Sequence, residues 1–136
     1  MVKRHSTILR TLCESLRSYD SGHRQRHAAA LVDKNRVLSY GFNSIKTRAS
    51  VLKHNGNFHD RTCIHAEVDA LRKVHDASAL TLYVASLGRG GEVKNSKPCE
   101  DCQRLIDRSG LKRIIYTNGD GTYTIESRTI KRETLE

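Results

Sequence analysis

Aromatic residues are scarce in this chain of 136 residues: two Phe, five Tyr and no Trp. Seven rings without regular interleaving among basic residues give little material for a base-stacking track. Proline occurs once, at Pro98, and no repeat, Pro-rich tract or low-complexity linker is visible. That leaves one domain over residues 1–136, large enough to bury about two-thirds of its unfolded surface. The longest apolar run, within residues 27–32, is far too short to cross a bilayer. The start, Met1-Val2-Lys3-Arg4-His5, leads into a polar amphipathic segment, so no secretory signal is expected. Four cysteines in such a chain are expected as reduced thiols in the cytoplasm.

Acidic residues are also in deficit, 15 against 24 Lys and Arg, for a formal charge of +9. The imbalance sits at the front. Residues 1–62 hold 12 basic and 4 acidic side chains, residues 63–136 hold 12 and 11. A basic front half attracts phosphate, on a nucleotide or on a nucleic-acid strand, although the plain reading of such charge is solubility.

Ser6 or Thr7 can cap a first helix with Ile8, Leu9, Leu12 and Leu16 on one face and Cys13 beside it as a small core residue. Segments 28–32 and 36–42, parted by Asp33-Lys34-Asn35, read as a hairpin. Residues 43–62 lack clear periodicity and are expected to be a long loop, and 64–75 place Ile64, Val68, Leu71 and Val74 on one expected helical face. A strand over 79–85 leads to a glycine-rich flexible loop, 88–96. Pro98 then opens a helix that stops at Gly110. Strands at 113–116 and 122–125 flank Asn118-Gly119-Asp120-Gly121, a strong hairpin signal. The order α-β-β-α-β-α-β-β predicts an α/β fold with about five strands in one mixed sheet, the last two antiparallel.

Two motifs carry chemistry. His65-Ala66-Glu67 and Pro98-Cys99-Glu100-Asp101-Cys102 each fall at an expected helix start, 31 residues apart from Glu67 to Pro98. One imidazole and two thiolates make a three-ligand zinc set that leaves a fourth position for water. The helix start favours the thiolates, and Glu67 is free to move the water's proton. Two plainer readings stand beside this one. Cys63 could complete a closed structural site, or Cys-x-x-Cys could be a redox pair.

With these residues the sequence resembles the zinc-dependent cytidine and deoxycytidylate deaminase superfamily, whose H-x-E…P-C-x-x-C signature it carries. The resemblance runs from residue 27 to about residue 125 and implies the three-layer α-β-α fold of that group. It implies that His65, Cys99 and Cys102 bind zinc, one ion per protomer, and that Glu67 is the general acid/base. It also implies a sugar contact from Asn43, after Gly41-Phe42, and a hydrogen bond from the Ala66 N–H to the pyrimidine carbonyl. The implied reaction is hydrolytic deamination of cytosine to uracil in a small nucleoside or nucleotide, CMP or dCMP being favoured by the basic front half. The alternative is a nucleic-acid-editing deaminase acting on single-stranded DNA or RNA. No membrane partner is expected, and the resemblance leaves room for a homo-oligomer.

Three features depart from the pattern: Asp69 where many deoxycytidylate deaminases have Asn, the added 88–96 loop, and the hairpin at 118–121. Phe42 reads as a sheet-core residue, and Arg89, His54 and His59 as solvated loop residues. The sharper alternative for the loop residues is a phosphate contact made by a closing lid.

Overall fold

The computed structural model describes residues 3–18, 26–45 and 63–127. The chain runs α1 (Lys3–Arg17), β1 (Arg26–Asp33), β2 (Arg36–Phe42), β3 (Ser44–Ile45) and β4 (Cys63–Ile64). It continues as α2 (Ala66–Leu71), β5 (Thr81–Leu87), β6 (Val93–Lys94), α3 (Glu100–Ser109), β7 (Arg113–Thr117) and β8 (Tyr123–Ser127). The main sheet has the order β2-β1-β5-β7-β8, with β6 added on β5, and β3 pairs separately with β4.

Alternation along the central strands builds two cores, because successive side chains leave a strand on opposite faces. Ala28, Ala30 and Val32 of β1, with Tyr83, Ala85 and Leu87 of β5, meet Leu9, Leu12, Cys13 and Leu16 of α1. Ala29 and Leu31, with Leu82 and Val84, face the other way against Val68 of α2 and Cys102 and Ile106 of α3. Helices thus cover both faces of a five-strand mixed sheet, the expected three layers. Cys13 is a buried core residue, and Phe42 packs half-buried against the α1 side.

The β5-α3-β7 unit supplies the parallel strand pair, and β7 and β8 are antiparallel around the 118–121 turn, as the sequence predicts. Gly121 takes φ 91° there, a left-handed conformation that glycine adopts without strain. A parallel crossover carries the helix start to the carboxyl ends of the strands, where α/β sheets place their sites.

Three local expectations need correction. The first helix starts at Lys3 rather than at a Ser6 or Thr7 cap, since buried His5 draws the first turn onto the sheet through its Nδ1, 2.6 Å from the Tyr83 hydroxyl. The second helix is Ala66–Leu71 rather than 64–75. Ile64 belongs to β4, and past Leu71 the backbone tightens, with Lys73 N–H bonding Ala70 O and Val74 N–H bonding Leu71 O. The 88–96 segment is a hairpin rather than an unstructured loop. Gly88 N–H bonds Glu92 O, and β6 pairs with β5. No helix among the described residues is long and apolar enough to cross a membrane.

Candidate metal centre

His65 and Cys99 occupy matching places, each the N-cap of its helix in extended backbone conformation: φ −74° and ψ 151° for His65, φ −69° and ψ 171° for Cys99. Neither spends its side chain on capping. Cys102 lies in the first turn of α3, fully buried. The His65 Nδ1 stands 3.7 Å from the Cys99 Sγ and 3.4 Å from the Cys102 Sγ. All three ligand atoms fall within 4.8 Å of one another. A tetrahedral zinc at ordinary Zn–S and Zn–N lengths separates sulfur from nitrogen by about 3.6 Å. The donor set fits.

Charge points the same way. Hydrogen bonding from the Cys102 thiol pulls the Cys99 pKa down to about 3 against the pull of burial, with His65 helping. Cys102 shifts up for the same reason, holding the proton of the pair in a buried position. Glu67 is buried, and burial raises its pKa. Among the described residues no Lys or Arg pairs with it. A buried carboxyl beside two cysteines has a charge deficit that a divalent cation would relieve.

The remaining expected site residues, Ala66 and Asn43, sit at the ends of elements. Ala66 is the first residue of α2, buried, with an N–H that has no acceptor within its helix. Asn43 is buried at the end of β2. Its Oδ1 accepts the His27 N–H at 2.9 Å, and its own N–H donates to His27 O at 3.2 Å. Arg89 is exposed on the β5–β6 hairpin. His54 and His59 lie outside the described residues, as does the Cys63 side chain. A cavity of about 1300 Å³, lined by Arg4, Thr81, Tyr83 and Arg113 among others, opens at the start of β5 and β7 and includes none of the cluster.

Sequence reasoning noted Asp69 only as a departure, yet it ties α2 to β2. Its Oδ2 accepts the Phe42 N–H at 3.0 Å, and its carboxylate pairs with Arg72 at 2.7 Å and Lys73 at 3.3 Å. The spacing of Asp69, Arg72 and Lys73, three and four apart on a helix, was the available signal.

A family model, the cytidine and deoxycytidylate deaminase zinc-binding region, matches residues 2–118. The chain belongs to this family. It is a zinc-dependent deaminase-family enzyme, and the His/Cys/Cys cluster is its candidate metal centre. Solved deaminases share the fold. The dCMP deaminase of cyanophage S-TIM5, solved with dCMP and dUMP, has a TM-score of 0.62 at 19% identity, covering 87% of this chain and 83% of its own. The cytidine deaminase of Burkholderia pseudomallei has a TM-score of 0.58 at 17% identity, covering 91% and 92%. That of Mycobacterium tuberculosis has a TM-score of 0.53 at 20% identity, covering 83% and 84%. No curated protein matches the chain in sequence.

Proposed function

We propose that the chain hydrolyses the 4-amino group of cytosine in a small nucleoside or nucleotide, releasing ammonia and leaving uracil. The observation that carries this reading is Glu67, buried without a Lys or Arg partner among the described residues and set beside His65, Cys99 and Cys102. Those three residues would hold one zinc ion per protomer. When bound, zinc supplies Lewis acidity that lowers the pKa of water to ~7.

Glu67 does the proton work. Its raised pKa lets the carboxylate accept a proton from the attacking water, pass it to ring N3, and carry another to the departing amine. The Ala66 N–H, unused by its helix, is a donor for the pyrimidine carbonyl. Asn43 is the candidate sugar contact, held in place through its amide oxygen by β1. The S-TIM5 relative was solved with nucleotide monophosphates, and residues 1–62 of this chain carry the basic excess, which together favour CMP or dCMP.

Ammonia release from a panel of cytidine, deoxycytidine, their 5′-monophosphates, adenosine and single-stranded DNA and RNA tests the proposal. Turnover of the monophosphates with a shallow salt dependence is the expected result. Activity on oligonucleotides alone, with a log–log salt slope growing by about 0.7 per phosphate contacted, would establish the editing alternative instead.

A further inference from the structure

The hairpin that precedes Pro98 fills a place in the sheet and joins it to the metal centre. β7 runs beside β5 only from the Thr81–Arg113 pair to the Val84–Tyr116 pair. Beyond it, β6 takes over, pairing Lys94 with Ser86 and Val93 with Leu87, while β1 holds the other side of β5 as far as Leu87. One ladder therefore ends where the next begins.

Two hydroxyls close that junction. Ser96 Oγ donates to Val84 O at 2.8 Å and accepts the Thr117 N–H at 2.8 Å. It stands in the gap between the two parallel strands, bridging groups that no longer meet directly. Thr117 Oγ1 lies 2.8 Å from Ser96 Oγ and also reaches Lys94 O at 2.8 Å. The Ser96 N–H adds a bond to Thr117 O at 2.9 Å. Ser96 is 1% exposed and Thr117 5%, so loss of either hydroxyl strands buried donors and acceptors.

Only Lys97 and Pro98 separate this plug from Cys99. Pro98 is buried and its ring fixes φ, so the segment has little slack. Cys99 then takes the N-cap position of α3 and Cys102 follows in its first turn. Where Ser96 is held decides how α3 enters the site.

We propose that Ser96 and Thr117 are positioning residues of the metal centre, their buried hydroxyl pair setting Cys99 and Cys102 at ligand distance from His65. This rests on reading those three residues as the zinc ligands. It gives the extra hairpin of this chain a task, since the route from β5 to α3 must be anchored before it can deliver a sulfur accurately.

The test is zinc affinity by chelator competition, together with the visible spectrum of the cobalt-substituted protein. Ser96→Ala and Thr117→Val should each weaken zinc retention about tenfold, the lower end for partners outside the ligand set, and shift the cobalt bands. Thr117→Ser keeps the hydroxyl and should restore both. Leu12→Ala, in the core on the opposite sheet face, should lower the melting temperature yet leave affinity and spectrum unchanged. Wild-type affinity and spectrum in Ser96→Ala and Thr117→Val would overturn the proposal, as would an equal loss in Leu12→Ala. If Ser96→Ala does not fold, Thr117→Val and its serine counterpart decide alone. Cys99→Ala separates the two layers of argument: full zinc retention there would refute the ligand assignment itself.

Discussion

Gly41 of β2 lies directly against the Ala66 carbonyl at the start of α2. A Cβ at position 41 would collide with that oxygen and with Ala70 N, and would stand 2.9 Å from Ala70 Cα. All three obstacles are backbone, so a methyl group can be accommodated only by moving the helix. Gly41→Ala should cost about 1–3 kcal/mol, the usual range for overpacking. Because α2 follows His65 and carries Glu67, turnover should fall as well. Thermal melts and kcat on the best panel substrate check both; a variant with wild-type values in each would contradict the close approach.

The metal centre predicts a sharper pattern. Cys99→Ala and Cys102→Ala should lose most bound zinc by elemental analysis, since a three-ligand set has no reserve. Cys13→Ala should keep it, because Cys13 is a residue of α1, buried on the other side of the sheet. Equal zinc in all three proteins would remove the basis for the assignment.

The element order, the start of α3 and the last hairpin were legible because each depends on residues close in sequence. Ala28 to Val32 stand out as an apolar run ended by a polar turn, Pro98 marks a helix start, and Asn118-Gly119-Asp120-Gly121 announces its own turn. His65, Cys99 and Cys102 were legible too, their chemistry being rare enough to stand out at that spacing. What escaped was set by partners far along the chain. α2 ends early, while the apolar pattern that suggested a longer helix includes Ile64, which pairs with Ser44 in a short ladder. β6 exists because β7 stops at Thr117 and leaves β5 an open side, which nothing in Val93-Lys94 reveals. Asn43 suggested a sugar contact, but its bond to the His27 N–H could not be read without the strand register.

Asp69 gives a pH signature. Burial alone would raise its pKa, but the Phe42 N–H, Arg72 and Lys73 outweigh that and leave it below the ordinary value. A carboxylate with a depressed folded pKa stabilises the fold above its unfolded pKa, about 3.9, and loses that contribution as pH falls through the folded value. Asp69→Asn should therefore be less stable than wild type at neutral pH by about 1.5–3 kcal/mol, the range for hydrogen bonds to a charged group. The gap should begin to close below about pH 4 and vanish only once pH has fallen below the lowered folded pKa. Denaturant unfolding across this range measures the difference directly, and a gap that stayed constant into acid would show that the ion pairs contribute nothing.

Glu67→Gln isolates proton transfer from structure. Glutamine has the same shape but cannot carry a proton between water, ring and leaving amine. It also avoids burying a negative charge, the cause of the raised pKa of Glu67. The variant should consequently bind zinc like wild type and melt at the same temperature or higher, while kcat falls about 10²–10⁴-fold, the span typical of general acid–base catalysis. That combination would mark Glu67 as a residue kept for chemistry at a cost in stability. Zinc content, melting temperature and ammonia release measured on one preparation decide it. Loss of the metal with the carboxylate would instead make Glu67 a fourth ligand and the site a closed, structural one.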